Sequence, residues 1–398
     1  MQVESEYNSI IISVFSALPC RINVPVFGYA SQATAKRTER YRLIIMEIKI
    51  TKTACPKEIP AEENLGFGKV FSDHMLLVDW NSEKGWHDAR IEPFGNISLH
   101  PASTVLHYGA EIFEGLKVYR RRDGGIQMFR PMENVRRLNR SAERMCLPVM
   151  DENEMLELFT AFVKLEERWV PHSFGTSLYL RPFLFGNDEA LGVHAVHNAT
   201  FMLIASPSGS YYAEGINPVK IMIEKEDVRT VRGGTGFAKC GGNYAASTRA
   251  GERAAKKGYS QVLWLDGVER KYIEEVGAMN VMFKIAGKIV TPMLTGSILP
   301  GITRKSCIEV LRDMGYEVEE RLLSVDELVA ALENGTLEEA WGTGTAAVVS
   351  PIGKLAYDGK EYVVSEGKIG EVTQKLYDTL TGMQWGVLPD THSWILKL

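Results

Sequence analysis

The chain has 398 residues, 45% hydrophobic and 24% charged, which is an ordinary composition for a globular protein of two or three domains. Its 45 basic and 50 acidic side chains give a net charge of −5, so we expect neither nucleic acid nor an anionic membrane as a partner. No apolar run approaches the roughly 18 residues of a membrane-spanning helix, and the five scattered cysteines form no CxxC pair. These features predict a cytoplasmic protein.

Residues 1–45 differ in character from the rest of the chain and predict an N-terminal extension upstream of a start at Met46. An organellar transit segment is the alternative, because Lys36, Arg37, Arg40 and Arg42 cluster there. The acidic residues Glu4, Glu6 and Glu39 weigh against it, since such segments are poor in acid.

Strand and helix patterns alternate in the next 160 residues, which we predict to form a small α/β domain over 46–205. Apolar residues at helical spacing predict helices over 104–115, 132–145 and 151–169. Strands are predicted at 75–79, 177–185 and 200–205, together with a hairpin of 117–121 and 126–130 around Arg122-Asp-Gly-Gly125.

A Pro/Gly/Ser-rich stretch predicts an interdomain linker over 206–218, followed by a larger domain over 219–398. In this half we expect helices at 244–257, 302–314, 325–333 and 369–383, and strands at 219–224, 261–266, 271–285 and within 338–365. Because strands and helices mix without a regular βαβ repeat, the pattern favours an α+β or mixed α/β fold in two domains.

One lysine lies in an unusual setting, within Arg232-Gly-Gly-Thr-Gly-Phe-Ala-Lys239-Cys-Gly-Gly-Asn-Tyr244. Uncharged neighbours on both sides would lower an ammonium pKa and leave the free amine that Schiff-base chemistry requires. The alternative is a flexible glycine loop with an incidental lysine. His194 and His197 stand three residues apart without a nearby carboxylate set, so we expect no metal site.

Three further features complement this lysine. Glu274 and Glu275 interrupt an apolar strand, so one would face solvent and the other the interior, where it needs a cationic partner. Leu299-Pro-Gly-Ile-Thr-Arg304 and Gly342-Thr-Gly-Thr-Ala346 are turns with free amides that suit anions. An amine, a buried carboxylate and two anion-binding turns are the elements that pyridoxal phosphate needs.

From about Phe67 to the C-terminus, the chain resembles the branched-chain amino acid aminotransferases, which are two-domain pyridoxal-phosphate enzymes of fold type IV, especially the bacterial ones. The resemblance rests on seven stretches in family order: 106–117, 137–142, 178–182, 233–244, 272–280, 299–304 and 342–346. It implies transfer of the amino group between leucine, isoleucine or valine and 2-oxoglutarate.

The resemblance also implies roles for individual residues. Lys239 would be the Schiff-base lysine, Glu275 the partner of the pyridine nitrogen and Tyr244 the partner of the phenolate oxygen. The phosphate would be held by Arg137, Ile302, Thr303 and Thr345. Phe113 and Tyr179 would form walls of the substrate pocket, and Ala346 would receive the substrate α-carboxylate. Arg181 would bind the distal carboxylate of glutamate, unless it forms a structural salt bridge instead. Tyr108 would reach in from the partner subunit of a homodimer.

Two alternatives stay open. Another fold type IV enzyme, such as a D-amino acid aminotransferase or aminodeoxychorismate lyase, would share the same cofactor site. A non-catalytic phosphate- or nucleotide-binding protein would use the glycine turns alone. Where some animal relatives carry a redox CxxC pair, this chain has Ala347 and Ser350, so that thiol switch is absent.

Overall fold

Two nine-stranded β-sheets, each covered by helices, form the framework of the described residues. The computed structural model describes residues 46–209 and 216–398. The predicted extension over 1–45 and the middle of the predicted linker lie outside these residues. Strands and helices are mixed along the chain without regular alternation, which confirms the predicted fold class.

The first sheet is formed by the N-terminal half together with the last strand of the chain. Its strands are β1 (Lys49–Ile50), β2 (His74–Asn81), β3 (Gly85–Pro93), β4 (Glu111–Phe113), β5 (Leu116–Arg120), β6 (Ile126–Phe129), β7 (Ser177–Gly186), β8 (Asn198–Ser208) and β18 (Ile395–Lys397). The order is β1-β3-β2-β8-β7-β5-β6-β18, with β4 also paired to β7. All pairs except β1–β3 are antiparallel.

The second sheet holds the segment around Lys239. Its strands are β9 (Val219–Ile223), β10 (Gln261–Leu265), β11 (Ile273–Val276), β12 (Met279–Ile285), β13 (Lys288–Pro292), β14 (Val318–Arg321), β15 (Leu337–Gly344), β16 (Val348–Tyr357) and β17 (Lys360–Val363). Because β11 pairs with both β10 and β12, the strands β9–β12, β15 and β16 close into a ring.

Eight α-helices pack on these sheets: α1 (Thr104–Tyr108), α2 (Pro131–Arg144), α3 (Glu152–Leu165), α4 (Gly241–Ala245), α5 (Thr248–Lys256), α6 (Ile302–Asp313), α7 (Val325–Glu333) and α8 (Glu371–Gln384) in the described residues. Residues at the N-terminus favour the start of several of these helices. Pro131 occupies the first turn of α2, and the Asp151 carboxylate caps α3 by accepting the amides of Asn153 and Glu154 at 2.9 and 3.1 Å.

Separate apolar cores hold the helices in place. Phe159 and Phe162 of α3 are buried with Val135 and Leu138 of α2 against the first sheet. Leu376 and Leu380 of α8 are buried on the second sheet. Each fully buried side chain of this kind contributes about 1.5–3 kcal/mol, so these faces fix where α2, α3 and α8 lie relative to the strands.

The structure corrects two of the predicted helices. The helix predicted over 104–115 ends at Tyr108, because Gly109 takes a left-handed φ of 58° and the chain continues into β4. The helix predicted over 244–257 is two helices, α4 and α5, and the amide of Ser247 ends the first by donating to the Tyr244 carbonyl. The strand β3 was not predicted.

The fold does not test the prediction of an interdomain linker over 206–218. Strand β8 continues to Ser208, into the predicted linker, and residues 210–215 lie outside the described part of the chain. Residues 46–398 cluster as one unit by their contacts. The division into domains over 46–205 and 219–398 therefore stays a prediction. No helix in the described ranges is long and apolar enough to span a bilayer.

Candidate active site

Lys239 lies between the two sheets at the start of α4, and neighbouring elements hold its backbone. Its amide donates to Ser141 Oγ of α2 at 2.9 Å, and its carbonyl accepts the amide of Phe113 of β4 at 2.9 Å. The amine Nζ donates to the hydroxyl of Tyr244 at 2.8 Å. Burial, reinforced by the positive charge of Arg137, lowers the pKa of Lys239 to about 8, despite the opposing charge of Glu114.

A cavity of about 240 Å³ opens in front of this amine. Seven of the predicted site residues line it: Phe113, Tyr179, Arg181, Lys239, Tyr244, Thr345 and Ala346. The rings of Phe113 and Tyr244 pack with centroids 4.9 Å apart, and Phe67 packs edge-on against Tyr179 at 5.0 Å. The fold therefore brings these predicted residues together from β4, β7, α4 and the turn after β15.

Glu275 lies on β11, against a smaller pocket that shares Tyr244 and Ala278 with this cavity. Its carboxylate is 3% exposed, is paired with the Arg229 guanidinium and accepts Asn280 Nδ2 at 2.9 Å. Burial raises the pKa of Glu275, and Arg229 opposes that rise. The cationic partner expected for a buried carboxylate is therefore Arg229, which the sequence analysis did not identify.

The expectation that the neighbouring Glu274 faces solvent is wrong. Glu274 is 5% exposed and accepts a hydrogen bond from the Ser297 hydroxyl. Burial raises the pKa of this carboxyl as well, and the adjacent Glu275 contributes in the same direction. Both faces of β11 are covered, so alternation along a strand did not indicate exposure here.

Arg137 is buried on α2 and is paired with Glu114 rather than free. Its Nε and Nη2 donate to the two Glu114 oxygens at 2.6 and 2.9 Å, and its Nη1 donates to the Pro300 carbonyl at 3.3 Å. Asn134 donates a further hydrogen bond to Glu114 at 2.8 Å. Burial alone would raise the pKa of Glu114, but the Arg137 guanidinium holds it below its usual value. Sequence reasoning also missed Glu114.

The first turn of α6 contains the predicted anion site of Ile302 and Thr303. Asn280 joins the turn before this helix to Glu275, because its Nδ2 also donates to the Leu299 carbonyl at 2.9 Å. Gly301 precedes the first turn of α6, and a Cβ there would collide with Asn280 Oδ1. No side chain caps this helix end, so its first amides point out without an intrahelical acceptor.

The turn after β15 is held from behind by two side-chain bonds. Thr345 Oγ1 donates to the Gly115 carbonyl at 3.2 Å, and Lys117 Nζ donates to the Ala346 carbonyl at 2.7 Å. Lys117 is 8% exposed, and burial lowers its pKa to about 8. Within the described residues, the amides of Thr345 and Ala346 donate to no protein acceptor, which leaves them available to an anion.

Arg181 and Tyr108 occupy different surroundings. The Arg181 guanidinium lies over Phe113 at 4.7 Å and donates to the Tyr179 hydroxyl at 3.1 Å, while its buried Nε has no partner among the described residues. No salt bridge to Arg181 is formed in that part of the chain. Tyr108, at the end of α1, is 43% exposed and is not among the residues lining the cavity of its own chain.

His194 and His197 lie closer to a carboxylate than the sequence analysis expected. The structure brings Asp188 to them, so that one potential ligand atom from each of the three residues lies within 4.8 Å of the other two. The sequence analysis, which found no carboxylate set near these histidines, did not identify Asp188.

Comparison with known proteins supports the same family that the sequence resembles. The family model of class IV amino-transferases matches residues 111–355, which include Lys239 and the whole of β4–β15. A Staphylococcus aureus (strain N315) protein with the name probable branched-chain-amino-acid aminotransferase is 53% identical over 348 residues, 87% of this chain and 97% of its own. Branched-chain-amino-acid aminotransferase 2 of Bacillus subtilis (strain 168) is 50% identical over 353 residues, 89% of this chain and 97% of its own.

Solved structures agree with these relatives. The branched-chain amino acid aminotransferase of Escherichia coli has a TM-score of 0.67 and 28% identity, covering 81% of this chain and 98% of that one. Another structurally similar enzyme of the same name, with a TM-score of 0.68, has been solved with pyridoxamine 5′-phosphate. Fold and cavity thus define a class IV aminotransferase. Within that class, the chain belongs to the branched-chain-amino-acid aminotransferase family.

Proposed function

We propose that this protein transfers the amino group reversibly between L-leucine, L-isoleucine or L-valine and 2-oxoglutarate, with pyridoxal 5′-phosphate as cofactor. The observation that carries the proposal is the Lys239 amine, whose pKa burial lowers to about 8 and which lines one cavity together with Tyr244 and Ala346. The 53% identity to a family member over nearly its whole length supports the same reaction.

The residues present fit this cofactor. When bound, pyridoxal phosphate supplies an aldehyde for attachment to an amine and a ring that withdraws electrons from the substrate Cα. Lys239 offers the amine, and Glu275 a carboxylate for the ring nitrogen. Tyr244, 2.8 Å from the amine, offers a hydroxyl. Arg137, Ile302, Thr303 and Thr345 would hold the phosphate.

The ionisation states match these roles. Burial, reinforced by Glu275, raises the pKa of Tyr244 to about 12, so its hydroxyl stays a neutral donor at physiological pH. Burial raises the pKa of Glu275, but the ion pair with Arg229 favours its charged form, and a charged carboxylate here would hold a proton on a ring nitrogen facing it. Lys239 Nζ, with a pKa close to the working pH, can take a proton from the substrate Cα and return it.

The substrate side of the cavity combines apolar walls with polar ends. Phe113 and Tyr179 present ring faces to a branched aliphatic side chain. The amide of Ala346 suits the α-carboxylate. Arg181, whose charge no described carboxylate pairs with, suits the distal carboxylate of glutamate. A homodimer would add Tyr108 of the partner chain to the site.

A substrate panel tests this proposal. The purified protein, saturated with pyridoxal phosphate, should form glutamate from 2-oxoglutarate with L-leucine, L-isoleucine and L-valine, and should be inactive with D-alanine. Turnover with D-alanine or with aminodeoxychorismate, but not with L-leucine, would instead identify one of the other fold type IV enzymes. Purified protein that binds no chromophore would favour the non-catalytic alternative.

A further inference from the structure

We propose that Asp188, His194 and His197 form a zinc-binding site on the loop between β7 and β8. The loop leaves β7 at Gly186 and returns at Asn198, where the two strands are paired through Gly186 and Ala199. It therefore closes on itself, and its three ligand candidates come from one short segment. The site is separate from the proposed catalytic residues and does not depend on the proposed reaction.

The Asp188 carboxylate needs a cation. It is 5% exposed, and its oxygens accept the His197 amide at 3.2 and 3.1 Å and Asn198 Nδ2 at 2.9 Å. Within the described ranges, its only potentially cationic neighbour is the His197 ring, with Nδ1 4.0 Å from Oδ1. Buried carboxylates are normally paired with a full charge or bound to a metal. These hydrogen bonds also leave acceptor capacity on Oδ2.

His194 is held in a tautomer that suits metal binding. Its Nδ1 lies 2.8 Å from the Ala195 carbonyl, which can only accept, so Nδ1 carries the hydrogen and Nε2 keeps its lone pair. A backbone carbonyl in this position is the usual outer partner of a metal-bound imidazole. The carboxylate has equivalent support from the His197 amide and Asn198.

The remaining geometry requires only rotation of exposed side chains. The rings of His194 and His197 stack with centroids 5.3 Å apart and planes inclined by 23°. The three candidate ligand atoms lie within 4.8 Å of one another, and zinc bonds of about 2.0–2.1 Å need them somewhat closer. Since the His197 side chain is 60% exposed, it can move by that amount.

The ligand set selects the class of metal. Two imidazoles and one carboxylate suit a borderline cation such as Zn²⁺, whereas Mg²⁺ and Ca²⁺ prefer oxygen ligands alone. Three protein ligands leave the fourth position of zinc to water, so binding should be exchangeable. Bound zinc would brace the loop, whose Asp188 carbonyl accepts the amide of Thr104 at the start of α1 at 3.2 Å.

Zinc titration of the chelator-treated full-length protein tests the site. We expect one equivalent of Zn²⁺ to bind with micromolar or tighter affinity, measured by competition with a zinc-sensitive dye. His194→Ala and His197→Ala should each weaken that binding at least about tenfold, and His172→Ala, at an exposed histidine elsewhere, should not. Asp188→Asn is less suitable alone, since Asp188 also orders the loop.

A second measurement separates this site from other thiol or histidine ligands. Zn²⁺ should raise the midpoint of thermal unfolding of the unmodified protein and of His172→Ala, but not of His197→Ala. Binding weaker than micromolar, or full-affinity binding that persists in both loop variants, would overturn the proposal. The second outcome would place zinc elsewhere, for example on the exposed Cys55 or Cys146.

Discussion

Single residues at the site derive their chemistry from partners that are far away in sequence. Lys239 could be predicted, because its uncharged neighbours 233–238 and 240–244 stand next to it in the chain. The pairs Arg137–Glu114 and Glu275–Arg229 could not, because only the folded arrangement of α2, β4 and β11 brings them together. The compensating charge of a buried group is therefore the part of a site that sequence reasoning most easily misses.

Glu275 and its neighbour offer a matched pair of substitutions. Glu275→Gln removes the negative charge beside Arg229 and should lower turnover by on the order of 100-fold or more, because the ring nitrogen loses its anionic partner. The visible absorbance of bound cofactor should remain. Glu274→Gln, on the other face of β11 and bonded to Ser297, is the control and should keep most of the activity. Near-normal turnover of Glu275→Gln would show that this carboxylate does not face the ring.

The buried Lys117 leads to a prediction of how the free energy of unfolding depends on pH. Its pKa falls from an ordinary 10.5 to about 8 on folding, so between these values the unfolded chain carries one proton more than the folded chain. The free energy of unfolding of the unsubstituted protein should therefore gain up to roughly 1.4 kcal/mol per pH unit in this window, relative to Lys117→Met.

Urea unfolding of both proteins at pH 7.5 and pH 9.5 checks this difference. Lys256→Met, at an exposed lysine of α5, should show no such gain relative to the unsubstituted protein. If the free energies of unfolding of Lys117→Met and the unsubstituted protein changed in parallel with pH, the lowered pKa of Lys117 would be contradicted.

Elements were easier to predict than residue partners where a local signal sets their limits. The hairpin of β5 and β6 and the helices α2, α3 and α7 lie close to their predicted positions, because apolar spacing, Asp151 and Pro131 act locally. The strand β3 mixes charged and apolar residues and gains its structure from pairing with β2. The short helix α1 gives way to β4 because β4 pairs with β7, which no local signal reports.

The turn before α6 gives a prediction at this scale. Gly301→Ala should lower cofactor affinity by at least about tenfold, since its Cβ would push away Asn280, which links the Leu299 turn to Glu275. The φ of Gly301 is −68°, so backbone strain plays no part. Equilibrium dialysis against pyridoxal phosphate measures the effect. Gly251→Ala in α5, where the new methyl meets open space, is the control, and equal affinities of the two variants would contradict this account.

At the scale of the whole molecule, the two sheets bring residues from β4, β7, β12, β15 and α4 around one cavity, but leave Tyr108 exposed. If Tyr108 completes the site of a second copy, two inactive variants should complement each other. Mixed subunits of Lys239→Ala and Tyr108→Ala contain one site with an intact lysine and an intact partner tyrosine. We expect unfolding and refolding of the mixture to restore activity above the sum of the two separate proteins, in a coupled assay of glutamate formation.

The two variants refolded separately are the control for that experiment. Activity no higher than their sum, in a sample shown by mass to contain mixed dimers, would place Tyr108 outside the neighbouring site. The homodimer is an expectation from family resemblance alone, since a single chain does not show which surface meets a second copy.

The most direct test concerns the proposed bond between Lys239 and pyridoxal phosphate. Borohydride reduction of the active, yellow protein, followed by digestion and mass spectrometry, should find the phosphopyridoxyl group on the peptide that contains Lys239. Lys239→Ala should bear no such group and should be inactive. An unmodified Lys239 peptide from fully loaded, active protein, or a reducible chromophore retained in Lys239→Ala, would contradict the account.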